Sequence, residues 1–526
     1  MIDLMIRNAK IVDGSGNPWF VGDVAVAGGK IVAVGRLADL KAKEEVDAEG
    51  LVLSPGFIDI HSHSDFSILD YPTNESRVLQ GITTEIGGNC GLSPAPVLPD
   101  KVDYLRKYAS FLSNSISYDW QSYGDFLRRI EETGISTNFG GLIGHGTLRV
   151  AAMGFDNRKP EPHELETMQT LMRQAMEDGA FGVSSGLIYS PGCYADTDEL
   201  VEVAKAIAPY GGFYETHMRN EGANILESIR ESIEVGRRAG VAVEIAHHKI
   251  SGRNNWGLAP QSTELIAQAR AEGLDITADQ YPYIASATTL TSILPSWTFE
   301  GGVDKMIERL QDPETRAKIK EQIEASSAKS GRRWSDLLIA SVGSEANRRF
   351  EGKTVEELAA IVGKGPIDAA LDLIIEERAV VGEVSFGMCE EDVATIMRHP
   401  LTMVGSDGGA MDIQCGGKPH PRNFGTFARI LRKYVREDKV LRLEEAVRKM
   451  TSMPATRLRL FDRGLIRSGC WADLVLFDPD TIEDTPSFTN PQQVVKGVNR
   501  VWVNGVLVVK DGTHTGSRPG HVLRHR

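Results

Sequence analysis

The residues in this sequence best suited to chemistry are histidines, one cysteine and one aspartate, each at or just after the end of a short apolar run. His61 and His63 close Phe57-Ile58-Asp59-Ile60-His61-Ser62-His63 after Pro55-Gly56. On a strand the side-chain period of two turns both imidazoles to one side. Cys90 lies in Gly87-Gly88-Asn89-Cys90-Gly91, while His217, His247 and Asp407 end the runs that begin at Gly212, Val241 and Leu401. Imidazole and thiolate suit zinc, and a carboxylate can hold either metal or water. The chemistry such a set offers is hydrolysis: zinc lowers the pKa of water from about 15.7 towards roughly 7 and polarises a carbonyl. Taken singly these residues are ambiguous. A histidine pair can merely satisfy backbone groups, and Cys90 can be a small buried hydrophobe.

Their meaning depends on the elements that carry them. Between about Leu51 and Met450, short apolar strands alternate with amphipathic helical stretches, the pattern of βα units around a parallel sheet. Candidate strands after the first are Gly81 to Ile86, Ile135 to Ile143, Ala180 to Ser184, Gly212 to His217, Val241 to His247, Leu274 to Ala278 and Leu401 to Asp407. A total of eight favours a closed barrel, whose C-terminal strand ends converge on one mouth. Helices are expected over Glu164 to Asp178, with Leu165, Met168, Leu171, Met172 and Ala175 at helical spacing, and over Ile225 to Ala239 before Gly240. The interval from Tyr281 to His399 exceeds one crossover, so a lid insertion over the mouth is expected at about 284–345. Met1 to about Ala48 reads as short strands and tight turns, and the same vocabulary returns in Ala472 to Asp478 and around Asn504-Gly505. One small β domain from both termini (1–50 and 451–526) flanking a catalytic barrel (51–450) is the economical expectation; independent terminal modules are the alternative.

The 58 basic against 72 acidic residues give a net charge of −14 without a long basic run, which argues against nucleic-acid or anionic-membrane partners. Five cysteines, at 90, 193, 389, 415 and 470, odd in number and sparse, argue against a disulfide framework and fit a reducing compartment. No signal-peptide or membrane-span pattern opens the chain, so the cytoplasm is the expected location. No Gly-x-Gly-x-x-Gly run follows a strand in a dinucleotide-binding context. His248 should point away from His247, and His145 in Gly144-His145-Gly146 could line a pocket or be structural.

These residues carry a resemblance to the amidohydrolase superfamily and, within it, to the N-acyl-D-amino-acid deacylases. The matching motifs are Pro55-Gly56-Phe57-Ile58-Asp59-Ile60-His61-Ser62-His63-Ser64-Asp65, Gly87-Gly88-Asn89-Cys90-Gly91, Gly186-Leu187-Ile188-Tyr189-Ser190-Pro191-Gly192, Tyr214-Glu215-Thr216-His217-Met218-Arg219, His247-His248-Lys249, Gly405-Ser406-Asp407-Gly408-Gly409 and Pro419-His420-Pro421-Arg422. The resemblance implies a distorted eight-stranded barrel with a small β domain from both termini. It also implies a tight zinc site at Cys90, His217 and His247 and a weaker second site at His61, His63 and Asp407. Strand four reads Gly182-Val183-Ser184-Ser185, without the lysine that bridges two metals in many superfamily members, so Cys90 is the better bridging candidate. Asp407 is the implied general base and acid. Tyr189, Lys249, Arg422 and one of Tyr281 and Tyr283 resemble substrate-binding residues, with Arg422 suited to bidentate recognition of a carboxylate. The implied substrates are linear N-acyl-D-amino acids. Ring opening of hydantoins or dihydropyrimidines is the enzymatic rival, and a metal-stabilised scaffold without turnover the non-enzymatic one.

Overall fold

A computed structural model of the chain describes residues 1–113 and 115–525. The first four strands, Ile2–Ile11, Phe20–Ala27, Lys30–Gly35 and Ala42–Asp47, join Val52–Pro55 and four strands from the other end of the chain in one nine-stranded sheet. The seam is antiparallel: Val52–Pro55 pairs with Leu474–Phe477, placing Leu53 opposite Leu476. Alternating residues of these strands (Leu4, Ile6, Val24, Val26, Leu53, Leu474, Leu476) bury one face in a common core with Trp502.

From that seam the chain passes straight into the barrel through Pro55-Gly56. A side chain at Gly56 would collide with Thr83, so only glycine lets the strand cross so close to its neighbour. The barrel strands are Phe57–Asp59, Ile82–Gly87, a third strand split at Leu142 into Asn138–Gly141 and Ile143–Gly144, then Gly182–Gly186, Phe213–His217, Ala242–Ile245, Ile276–Gln280 and Thr402–Val404. Their pairings are all parallel. Bonds from Asp407 N to His61 O and from Phe181 N to Gly141 O close the gaps between the two sheet segments. The fold is thus a distorted eight-stranded α/β barrel carrying a small β domain. No helix among the described residues is long and apolar enough to cross a membrane.

The surrounding helices follow from sequence spacing. In Ile225–Ala239 the buried residues Ile225, Ile229, Ser232, Ile233 and Gly236 fall on one stripe, and Gly240 ends the helix in left-handed backbone. Full burial of each isoleucine contributes on the order of 1.5–3 kcal/mol. Pro162–Asp178 begins with a reciprocal Glu161/Glu164 capping arrangement and ends at Gly179.

Between Gln280 and Thr402 lie several helices and an antiparallel three-stranded sheet ordered Ser286–Thr289, Val381–Ser385, Leu337–Val342. This inserted sheet has its own core around Leu290, Met306, Ile319, Ile339 and Leu371, and its strands extend to Ser385, well past residue 345. It forms one wall of the cavity over the barrel mouth.

Candidate metal centre

The donors expected from the sequence meet at the barrel mouth, but not as simple strand ends. Strand geometry stops at Asp59, Gly87, Ile245 and Val404, so His61, His63, Cys90, His247 and Asp407 stand on the first residues of the following loops. Cys90, His247 and Asp407 all take positive φ, at 55°, 33° and 54°. Such backbone costs energy for a non-glycine residue and persists where surrounding structure fixes it, characteristically at functional sites. Here hydrogen bonds fix it: Cys90 N donates to Glu215 Oε2 (3.1 Å), His247 N to Asp279 Oδ1 (3.0 Å) and Asp407 N to His61 O (2.8 Å).

Three groups of donor atoms lie within 4.8 Å of one another: His61, Cys90 and His247; His61, His63 and Asp407; and His217, Glu221 and His247. Cys90 Sγ is 3.4 Å from both His61 Nε2 and His247 Nε2. His217 enters through His247, whose Nε2 is 2.9 Å from His217 Nδ1. Of the expected trio, Cys90 and His217 each approach His247, but the three do not form one of these mutual groups: Cys90 groups with His61 and His217 with Glu221. On the other flank, Asp407 Oδ1 lies 3.2 Å from His63 Nε2 and 3.7 Å from His61 Nε2, leaving Cys90 and His61 between the two flanks.

The electrostatics suit a cation at this point. Burial holds the His217 and His247 imidazoles well below their ordinary pKa, so both are neutral with lone pairs to offer. Burial also pushes the Cys90 thiol up, so a thiolate here needs a positive charge beside it. His217 Nε2 and His63 Nδ1 are buried without hydrogen-bond partners. Against the cost of burial, Arg422, His63 and His61 hold the Asp407 carboxyl well below the usual carboxylate range. Neutral imidazoles, a thiol and an ionised carboxylate, converging at a largely buried point, fit zinc.

Three carboxylates that orient these donors were not singled out in the sequence. Asp279 Oδ2 sits 3.1 Å from His61 Nδ1, fixing the ring so that Nε2 faces Cys90. Glu221 Oε1 lies 2.9 Å from His247 Nδ1 and accepts from Lys249 Nζ at 2.6 Å. Glu215, which holds the Cys90 amide, is pushed up to about 8 by burial. Glu215 and Asp279 did leave a signal: each is a charged residue inside an otherwise uncharged, fully buried strand, where charge is costly without a partner. Glu221 lies in a loop and left none.

A cavity of about 1010 Å³ opens over these residues, lined by His63, Cys90, Tyr189, His217, His247, Lys249, Tyr281, Asp407 and Arg422. His61 is fully buried beneath it. Of the tyrosine pair, Tyr281 lines the cavity, its hydroxyl buried without a partner and its ring between Arg422 (4.9 Å) and Lys249 (5.7 Å). Tyr283 is off the cavity wall, contrary to one of the two sequence options. A tight turn at Pro282, with Tyr283 N bonded to Tyr281 O, swings it against His420 and Phe488, and its hydroxyl faces Pro421 O. His145 is buried against Glu199, at 2.8 Å, and His248 against Ser262, at 2.9 Å, so both are structural.

The Amidohydrolase family model matches residues 44–509. An N-acyl-D-aspartate deacylase from Alcaligenes xylosoxydans xylosoxydans is 37% identical over 99% of this chain and 95% of its own length. Among solved structures, an N-acyl-D-glutamate deacylase from Bordetella bronchiseptica, complexed with zinc and a phosphonate mimic of the tetrahedral intermediate, superposes with a TM-score of 0.85 at 32% identity, covering 99% of each chain. A D-aminoacylase with a binuclear metal centre, activated by one metal and attenuated by the second, gives a TM-score of 0.84 at 33% identity over 100% of each chain.

Proposed function

Because this chain belongs to the amidohydrolase family, in its N-acyl-D-amino-acid deacylase branch, we propose that it hydrolyses the linear amide of N-acyl-D-amino acids to a carboxylate and a free D-amino acid. Cys90, His217 and His247 would hold a tightly bound zinc ion, and His61, His63 and Asp407, with Cys90 between, a weaker second metal. Zinc supplies acidified water and Lewis-acid polarisation of the amide carbonyl.

The remaining work falls to side chains of this protein. Asp407 is kept ionised, ready to accept a proton at Oδ1, and can later deliver it to the departing nitrogen. Tyr189 packs edge-on against His217 with ring centroids 5.2 Å apart, and burial raises its phenol so that it stays a neutral donor for the developing oxyanion. Lys249 keeps its charge because Glu221 outweighs the cost of burial. Lys249, Arg422 and the Tyr281 hydroxyl form a recess with two cations and a free donor, the chemistry of an α-carboxylate receptor.

The observation that carries this reading is Arg422. Its Nε is buried in the cavity wall without a hydrogen-bond partner, while Nη1 pairs with Asp407 Oδ2 at 2.9 Å. A guanidinium with an unused donor beside the general base is what a free carboxylate next to the scissile amide requires, whereas a hydantoin or dihydropyrimidine ring brings no such group. The test is a panel of N-acetyl and N-formyl D- and L-amino acids with hydantoin and dihydrouracil, assayed with and without added zinc. Amine release from the D-acyl compounds is the expected result. Ring opening without linear deacylation would select the cyclic-amide reading.

A further inference from the structure

The cavity is far larger than the metal centre needs, and its wall on the side of the inserted sheet is built differently. Strand Ser286–Thr289 touches two of the substrate-handling residues: Ala287 O accepts from Arg422 Nη2 (3.2 Å) and Thr288 Oγ1 lies 3.1 Å from the Tyr189 hydroxyl. This strand therefore spans from the carboxylate recess to the oxyanion side. Whatever projects outward from a substrate held between them runs along the inserted sheet.

The next residue across that sheet is Glu383. In the antiparallel register Thr288 faces Glu383, and directly opposed residues share a face with Cβ atoms about 4.5–5.5 Å apart. Glu383 is 3% exposed and lines the cavity. Its Oε1 accepts from Ser292 Oγ at 2.7 Å, whereas Oε2 is buried with no partner. Burial pushes its carboxyl up, and the Ser292 bond and the guanidinium of Arg332 offset this only in part. Arg332 also lines the cavity, and its Nη1 is likewise buried without a hydrogen-bond partner. One free acceptor and one free donor thus stand beyond Tyr189, in a wall otherwise made mostly of Ser, Thr, Ala and Gly, with Lys329 and Val380. Unmatched buried polar atoms are costly, so a ligand that pairs with both binds better for it.

We propose that Glu383 and Arg332 form the side-chain subsite of this enzyme and select D-amino acids whose side chain ends in a primary carboxamide, of the D-glutamine or D-asparagine type. The carboxamide N–H donates to Glu383 Oε2 and its carbonyl accepts from Arg332 Nη1. An isosteric terminal carboxylate cannot donate, and it sets a second anionic oxygen against Glu383. This specificity differs from that named for the D-aspartate and D-glutamate deacylases at 37% and 34% identity. The inference rests on the deacylase reading.

The test uses the zinc-loaded full-length enzyme with N-acetyl-D-glutamine, N-acetyl-D-glutamate, N-acetyl-D-leucine and N-acetyl-D-alanine. The expected result is kcat/KM for the glutamine substrate at least tenfold above that for the glutamate. Glu383→Gln, which keeps an acceptor for Ser292 but turns the free oxygen into a donor, should lower that ratio at least tenfold. The ratio is taken within each protein, so a loss of folded enzyme cancels. Wild-type preference for glutamate, an unchanged ratio in Glu383→Gln, or a variant effect that follows the acyl group instead of the side chain would overturn the subsite assignment while leaving the deacylase reading standing. No turnover of any substrate, alanine and leucine included, would overturn both.

Discussion

Arg422 and Asp407 are locked together at the mouth of the barrel, Nη1 to Oδ2 at 2.9 Å, both almost fully buried. The pair would couple recognition to chemistry, since the cation proposed to bind the substrate carboxylate also holds the Asp407 carboxyl ionised. Arg422→Ala should therefore lower kcat/KM on N-acyl amino acids roughly 10²-fold or more, the scale of losing one partner of a buried charge pair. The corresponding methyl esters should lose much less. The same substitution raises the Asp407 pKa, so the acid limb of the pH profile should move to higher pH. An unchanged acid limb would separate Arg422 from the base.

Asp407→Asn keeps shape and replaces a proton acceptor by an amide. Turnover should fall roughly 10²-fold or more, with the tightly bound zinc retained. Metal content measured beside kcat decides the point: nearly unchanged turnover with intact zinc would remove Asp407 from the base role.

Metal content also tests the donors separately. Cys90→Ala and His217→Ala should each lose most bound zinc while circular dichroism stays close to wild type, because the barrel core does not depend on the ion. His61→Ala should lower activity but leave much of the tight zinc in place. Asp279→Asn removes the group that orients His61 and should weaken the second metal by roughly 10- to 100-fold. Full zinc retention in both Cys90→Ala and His217→Ala would sink the ligand set.

The candidate metal donors were legible because their types are rare and their positions follow apolar runs. His61, His63, Cys90, His217, His247 and Asp407 could be grouped once a closed barrel was inferred. The backbone that aims them was not legible. Cys90, His247 and Asp407 adopt left-handed φ that their local sequence does not dictate; tertiary hydrogen bonds that their amides donate to Glu215, Asp279 and the His61 carbonyl impose it. Tyr281 and Tyr283 could not be ranked because the turn at Pro282 breaks the period of two on which strand reading relies. The inserted sheet escaped for a related reason: Ser286–Thr289 is short and polar, and it pairs with Val381–Ser385 almost a hundred residues away.

The last prediction concerns stability and lies below the barrel, away from the cavity. Lys449 is fully buried and donates to the carbonyls of His399 (2.5 Å) and Thr402 (2.8 Å), tying helix Leu443–Met450 to the start of the strand that leads to Asp407. Burial lowers its pKa from 10.5 to about 7. Because the folded state holds this proton less tightly, the unfolded chain binds more protons between about pH 7 and 10.5. Stability from this residue must then rise with pH across that window, by up to about 1.4 kcal/mol per pH unit. Lys449→Met removes the titration along with two hydrogen bonds, so it should lower stability by an amount that is smallest near pH 7 and grows towards pH 10. Urea midpoints of both proteins at pH 7, 8, 9 and 10 give the difference directly. A constant difference would mean that Lys449 keeps its ordinary pKa in the fold, and a shrinking one would reverse the sign of the linkage.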